Sequence, residues 1–316
     1  MDFRTKTIRT DLPLVTIGVL SYNYSNYIKE ALNSLLLQVY PNIELIIIDD
    51  CSTERETVSF IEKWIAANDI HCTFIQNEIN QGICKVSNTI ISLSKGKYVS
   101  LFATDDIMLP EKIERQVEIL EEAGESFGMC YANALTIDEN GDRLGYYGRI
   151  GHQYKPEGDV LEKFVFHEFG FATPVALIRK SVYEKTGLYD ERVLYEDYNF
   201  WLRLFAISKA KYCNYPCLMY RLKRKSAIFD EWNKNNKERY YRDRILSNLQ
   251  GIHFTTNKRV RHYLSSKIRQ YLKALSANRS FYLKDIIVYL LLHGFIQIPL
   301  KVLFSCVIKT KAQNTN

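Results

Sequence analysis

The chain has 316 residues, of which 47% are hydrophobic and 25% charged. That balance is typical of a globular protein with a sizeable core and excludes a disordered chain. The net charge is +6, but no recognised nucleic-acid-binding module accompanies the basic residues, so we expect no nucleic-acid partner. Seven cysteines without a CxxC pair, and a polar N-terminus without the apolar core of a signal peptide, favour free thiols and a cytoplasmic location.

Apolar runs and helical periodicity alternate along the first 125 or so residues. The pattern predicts helices at 26–38, 53–67, 85–94 and 110–123, and strands at 14–19, 43–48, 72–76 and 97–102. Alternation of this kind predicts an α/β fold with a mostly parallel sheet and helices on both faces.

Beyond residue 128 the pattern predicts strands at 128–135 and 171–178, a hairpin turn at 139–142, and helices at 180–185 and 198–208. We expect the sheet to continue with mixed pairing to about residue 221. Composition then becomes basic, and later apolar, which places the main boundary near residue 230. The expected domains are therefore 1–230, with halves at about 13–110 and 111–230, and a helical extension over 231–316.

Three acidic pairs stand at the ends of predicted elements: Asp49–Asp50, Asp105–Asp106 and Glu196–Asp197. The first two follow strands, and ligands of open parallel sheets bind outside the carboxyl ends of the strands. Carboxylates crowded at one site repel each other, and a divalent cation with phosphate oxygens would compensate them. A solvated strand end or a helix cap explains one such pair, but poorly explains all three together.

The run VTIGVLSYNYSNYIKEALNSLLLQVYPNIELIIIDDCST resembles the start of family 2 of the glycosyltransferases. It contains the motifs Tyr22-Asn23, Gln38-Val39-Tyr40 and Asp49-Asp50-Cys51-Ser52. The similarity continues through NEINQG, LFATDDIMLP, EDYNFWLR and YRLKRKS, and so covers roughly residues 13–226. This resemblance implies the GT-A fold, a Rossmann-like nucleotide-sugar-binding fold with a mostly parallel mixed sheet, followed here by a helical C-terminal extension.

The resemblance also implies roles in binding the donor. Ser21 and Tyr22 would line the base and ribose pocket, and Asp50 would accept a hydrogen bond from the base. Asp106 would ligate Mn²⁺ or Mg²⁺, and Asp105 would reach the ribose or a metal-bound water. The metal would neutralise charge growing on the diphosphate leaving group.

Further roles fall in the second half of the matched region. Asp197 corresponds to the general base that takes the proton from the acceptor hydroxyl. Arg221 or Lys223 would steady the departing diphosphate, although a solvated basic face is the alternative. Trp201 and Arg203 would shape the acceptor pocket or, equally, make ordinary core and surface contacts.

The implied function is transfer of a sugar, with inversion, from a UDP-sugar to a glycan hydroxyl in polysaccharide biosynthesis, with a lipid-linked acceptor favoured. The alternatives are a catalytically silent scaffold that resembles a glycosyltransferase and, less favoured, a sugar nucleotidyltransferase. The scaffold is disfavoured because Asp50, Asp106 and Asp197 are all present. One departure from the family pattern is Ser87 in place of the usual Arg, whose charge Lys85 could replace.

The apolar stretch over 284–311 follows a segment rich in Lys and Arg. It is long enough to cross a bilayer, but Lys301 and Pro299 disfavour a span. An in-plane helix at the inner face of the cell membrane, with the basic segment on anionic head groups, is the favoured interpretation. A helical pair packed on the catalytic domain remains the alternative.

Overall fold

The computed structural model describes residues 11–147, 155–193, 196–223 and 237–277, together with Ile286. Two compact units divide the chain. The first unit holds residues 1–189 and 208–224, and the second unit holds residues 190–207 and 225–316. The predicted division at residue 230 into a catalytic domain and an extension stays a prediction.

The first part of the first unit alternates strands and helices, as predicted. Its elements are β1 (Val15–Ser21), α1 (Ile28–Leu36), β2 (Ile43–Asp49), α2 (Arg55–Asn68), β3 (Thr73–Gln76), α3 (Ile83–Leu93), β4 (Tyr98–Ala103), β5 (Ile107–Met108) and α4 (Lys112–Ala123). The strands β3, β2, β1 and β4 lie side by side in that order, and all three pairings are parallel.

The rest of the first unit completes a mixed sheet that has nine strands within the described residues. Its elements are β6 (Phe127–Ile137), β7 (Arg143–Tyr146), α5 (Leu161–Val165), β8 (Leu177–Arg179), α6 (Lys180–Thr186) and β9 (Lys209–Arg221). The sheet order is β3-β2-β1-β4-β8-β6-β9-β5, with β7 paired to β6. β8 is antiparallel to β4 and β6, whereas β6 and β9 are parallel, so the predicted mixed pairing up to residue 221 is confirmed.

The strand predicted over 171–178 is wrong in its first half. A short 3-10 helix occupies Thr173–Val175, and the strand is confined to Leu177–Arg179. Pro174 explains the difference, because proline has no N–H to donate to a neighbouring strand and is excluded from the interior of sheets.

Burial of both faces of the central strands explains their nearly continuous apolar sequence. Ile46 and Ile48 of β2 pack with Val86 and Ile90 of α3 in one cluster. Gly18 of β1 allows this close packing, because a β-carbon there would lie 2.2 Å from Cγ2 of Ile90.

The second unit is helical, and three helices form its described core. They are α7 (Glu196–Ile207), α8 (Lys237–Phe254) and α9 (Lys258–Ala277). Ile245 and Leu249 of α8 pack with Ile268 and Leu272 of α9. The basic side chains of Lys258, Arg269 and Lys273 lie on the exposed side of α9.

No helix in the described part of the chain is long and apolar enough to cross a bilayer. The stretch over 284–311 lies outside the described residues except for Ile286, so its contact with a membrane stays a prediction. The six described cysteines are free thiols, as predicted.

Gly96 provides a test of how tightly β1 and β4 are joined. A β-carbon at Gly96 would lie 2.5 Å from the backbone nitrogen of Thr16 and 2.7 Å from the carbonyl oxygen of Tyr98. We expect Gly96→Ala to lower the free energy of unfolding by about 2 kcal/mol, because backbone atoms cannot move aside as a side chain does. Urea denaturation measures this loss.

The matched control is Gly170→Ala, because nothing lies within 4 Å of the β-carbon it would add. We expect that variant to stay within about 0.5 kcal/mol of the wild type. Equal stability of the two variants would contradict the close approach at Gly96.

Candidate active site

The candidate site lies at the carboxyl ends of β1, β2 and β4, which we call the carboxyl edge. These strands are neighbours in the sheet and run in the same direction. Ser21 ends β1, Asp49 ends β2, and Asp105 and Asp106 form the turn after β4. The structure therefore places the first two acidic pairs singled out from the sequence at the same edge of the sheet.

Asp49 holds the turn after β2 together. It is fully buried, and its carboxylate accepts hydrogen bonds from the backbone nitrogen of Ser52 (2.9 Å), from Oγ of Ser52 (2.6 Å) and from Oγ of Ser21 (3.1 Å). The Ser21 hydroxyl is thus engaged inside the protein. Its predicted part in lining a base and ribose pocket stays a prediction.

Asp50 is oriented by the segment that follows β3. Oδ1 accepts hydrogen bonds from the side chain of Asn77 and the backbone nitrogen of Gln81, and Oδ2 accepts one from the backbone nitrogen of Gly82, each at 2.8 Å. Gly82 has a φ of 82°, a left-handed conformation that favours glycine. A carboxylate offers about four acceptor positions, so Oδ2 retains room for one more donor.

The loop after β1 is shaped by Asn23, which has a left-handed φ of 55°. Its Oδ1 accepts hydrogen bonds from the backbone nitrogens of Thr53 (2.7 Å) and Glu54 (3.3 Å). Asn23 therefore ties the loop after β1 to the start of α2. The neighbouring Tyr22 is 42% exposed, which leaves its ring accessible to a ligand.

Asp105 and Asp106 differ in their surroundings. Asp106 is almost completely buried, and its Oδ1 accepts a hydrogen bond from the backbone nitrogen of Arg221 at 2.9 Å. Burial raises the pKa of Asp106 well above its usual value, and the neighbouring Asp105 raises it further. Asp105 forms an ion pair with Lys223, with 2.7 Å between Oδ2 and Nζ.

The Arg221 side chain is buried and fixed by several partners. Its Nε donates to the carbonyl oxygen of Asp105 (2.9 Å), Nη1 donates to that of Asp138 (3.0 Å), and Nη2 pairs with the Glu30 carboxylate (2.8 Å). The guanidinium also lies 4.4 Å from the ring centroid of Tyr27. These contacts hold the turn after β4 against β9.

The donor set at this turn fits a cation that completes its coordination shell with phosphate and water. No group of three or more His, Cys, Asp or Glu side chains within the described ranges could hold a metal ion. Mg²⁺, however, is commonly held by one or two carboxylates together with substrate phosphates and water. Asp106, with its raised pKa, is a buried carboxylate that such an ion would stabilise.

Comparison with known proteins decides the family. The model of Glycosyl transferase family 2 matches residues 16–187, which is more than half of the chain. The chain belongs to this family.

The relatives and solved structures agree with the family. A glycosyltransferase of Rickettsia prowazekii is 33% identical over 198 residues, which are 62% of this chain and 60% of the relative. The chain therefore spans less than two thirds of the length of that curated relative.

Two solved structures share the fold of the chain. The match to S. aureus TarS in complex with UDP-GlcNAc covers 84% of this chain and 73% of the TarS chain, with a TM-score of 0.64 and 19% identity. The match to a mannosyltransferase of Pyrobaculum calidifontis, in complex with GDP-Man and Mn²⁺, covers 99% of this chain and 92% of the mannosyltransferase chain, with a TM-score of 0.57 and 17% identity. The fold of this family 2 chain is therefore the predicted GT-A fold.

The third acidic pair, Glu196 and Asp197, lies in the second unit, in the first turn of α7. Burial raises the pKa of Glu196 to about 7, and the adjacent Asp197 contributes to the rise. Trp201 and Arg203 of the same helix are buried; Trp201 stacks with Phe205, and Arg203 donates to Asn199 at 3.0 Å.

Several residues of the carboxyl edge were not predicted from the sequence. Tyr24, Tyr27 and Glu30 surround the two cations at and just after the end of β9, and Asn77 helps to hold Asp50. Helical spacing gives no signal for them in the sequence, because Tyr24 and Tyr27 precede α1 and only Glu30 lies in its first turn.

The raised pKa of Glu196 predicts how stability depends on pH. An unfolded carboxyl group of this kind ionises near 4.5, whereas Glu196 ionises near 7 in the folded chain. The folded state is therefore stabilised while Glu196 is protonated, and this stabilisation is lost as the pH rises through about 7. Between pH 5 and 8 we expect Glu196 to cost about 2 to 3 kcal/mol of stability.

Urea denaturation at both pH values checks this expectation. The variant Glu196→Gln should lose little stability between pH 5 and 8. Glu184→Gln, a change at an exposed position, should lose as much stability as the wild type. An equal pH dependence in wild type and Glu196→Gln would contradict the raised pKa.

Proposed function

We propose that this chain transfers a sugar from a nucleotide-sugar donor to a hydroxyl group of a glycan acceptor. The observation that carries the proposal is the carboxyl edge of a family 2 chain, where Asp50 and the Asp105–Asp106 pair follow β2 and β4, the two strands that flank β1. A glycosyltransferase needs these two features together, since it must recognise a nucleotide and neutralise a diphosphate.

Asp50 is our candidate for recognising the base. Its carboxylate is held by Asn77, Gln81 and Gly82, and Oδ2 keeps one acceptor position. An imide N–H, such as that of uracil, is the kind of donor that this position would accept, which favours a UDP-sugar. Tyr22 and the backbone of Ser21 would line the base and ribose pocket beside it.

Asp106 is our candidate ligand for Mn²⁺ or Mg²⁺, and Asp105 would reach the ribose or a metal-bound water. When bound, the ion supplies positive charge that stabilises the diphosphate leaving group. Arg221 keeps the turn in place through Asp105 and the backbone of Asp138. Lys223, which follows β9, is the cation close enough to the turn to contact the diphosphate.

Asp197 is our candidate general base. It would take the proton of the acceptor hydroxyl while that oxygen attacks the anomeric carbon from the face opposite the diphosphate, which inverts the configuration. Proton transfer of this kind contributes about 10²- to 10⁴-fold to the rate. A lipid-linked glycan of a polysaccharide pathway, and a location at the cytoplasmic face of the membrane, stay predictions.

Calorimetric titration of UDP into the full chain tests the donor site. We expect binding in the presence of Mn²⁺, and a loss of about 100-fold in Asp106→Ala, because removing a buried charged partner costs about 3 kcal/mol. The matched control is Asp159→Ala, which removes an exposed carboxylate and should bind UDP as the wild type does.

Other results of the same titration separate the alternatives. Binding of GDP, CDP or dTDP in place of UDP would keep the transferase and change the donor. A folded protein that binds no nucleotide at any Mn²⁺ concentration would contradict the proposal and favour the silent scaffold.

Asp197→Asn tests the assignment of the base. The amide keeps the size of the side chain but cannot take the proton, so we expect kcat to fall by about 10²- to 10⁴-fold. The affinity for UDP, measured by calorimetry, should stay unchanged. A decrease in kcat of less than about tenfold would exclude Asp197 as the general base.

A further inference from the structure

The ammonium group of Lys223 occupies a defined place at the turn after β4. Its Nζ lies 2.7 Å from Oδ2 of Asp105, and the two side chains are only 15% and 18% exposed. The same Nζ lies 3.3 Å from the ring centroid of Tyr24. A carboxylate and an aromatic face therefore hold this cation from two sides, unlike a lysine in an ordinary surface ion pair.

The other cation of this region, Arg221, has a different role. The guanidinium of Arg221 is directed at the carbonyl oxygens of Asp105 and Asp138 and at the carboxylate of Glu30. It is the backbone nitrogen of Arg221 that contacts Asp106. The Lys223 side chain, by contrast, pairs directly with a carboxylate of the turn.

We propose that Lys223 is a built-in counter-ion of the donor site, which opposes binding of a divalent cation alone and exchanges Asp105 for the diphosphate when the nucleotide binds. The inference rests on the proposed function, because it takes the Asp105–Asp106 turn as the place where metal and diphosphate meet. Its consequence is that metal and nucleotide bind cooperatively.

The physical reason is repulsion between like charges. Asp105 and Asp106 are adjacent, and Lys223 is one of the charges that act on Asp106, so its ammonium would repel a divalent cation held there in a partly buried setting that screens charge poorly. A diphosphate adds negative charge next to the metal ion and the ammonium group, and so offsets the repulsion between them. The flexible four-carbon stem of lysine lets Nζ move from the carboxylate to a phosphate oxygen.

Mn²⁺ binding to the full chain, measured by the EPR signal of free Mn²⁺ with and without UDP, tests this exchange. Without UDP, we expect Lys223→Met to bind Mn²⁺ about tenfold more tightly than the wild type, because the competing charge is gone. The factor by which UDP strengthens Mn²⁺ binding should fall about tenfold in the same variant. Lys223→Arg, which keeps the charge, should preserve weak binding of Mn²⁺ alone.

The matched control is Lys63→Met, an equal change in net charge at an exposed position of α2, which should bind Mn²⁺ as the wild type does. Circular dichroism melting identifies a variant that fails to fold, and Lys223→Gln, which also removes the charge, then carries the test with the same expected result. If Lys223→Met and Lys63→Met both bind Mn²⁺ like the wild type while UDP strengthens binding in all three, the inference is overturned and the donor site stands. If UDP strengthens Mn²⁺ binding in none of them, the metal assignment of the proposed function fails, and the inference fails with it.

Discussion

The buried carboxylate of Asp106 is the constraint on which the rest of the site depends. A carboxylate out of contact with water is stable only if donors or cations compensate it, and here the end of β9 supplies them. The backbone of Arg221 donates to Asp106, and the Arg221 guanidinium holds the chain at Asp105 and Asp138. The pairing of β9 with β5 and β6 keeps these donors in place, so the architecture of the sheet and the charge of the site are linked.

The elements that could be predicted from the sequence are those whose residues are mostly buried and apolar. Strands β1 and β2 are buried along most of their length, so their apolar runs are nearly continuous and the acidic pair at the end of β2 is conspicuous. The opposite case is α8, which buries Asp243, Ser247 and Asn248 beside its apolar residues. Its apolar periodicity is therefore weak, and no boundaries for this helix followed from the sequence.

The same contrast holds at the site. The acidic residues Asp50 and Asp106 could be found from the sequence, because carboxylates after apolar runs are rarely explained by packing. What orients them could not be found in this way. Asp50 is held largely by the backbone nitrogens of Gln81 and Gly82, and a backbone donor leaves no mark in the residue type except the glycine that its conformation requires. Lys223 could be named as a cation, but its pairing with Asp105 depends on tertiary structure.

The contact between Asp106 and Arg221 joins residues that lie 115 positions apart in the chain. During synthesis, strands β1 to β4 therefore leave the ribosome long before the strand that neutralises their acidic turn. A fragment that ends before β9 contains all three acidic pairs but lacks Arg221 and Lys223, the partners of the Asp105–Asp106 pair. The first half of the molecule thus contains the acidic turn of the site but not the residues that stabilise it.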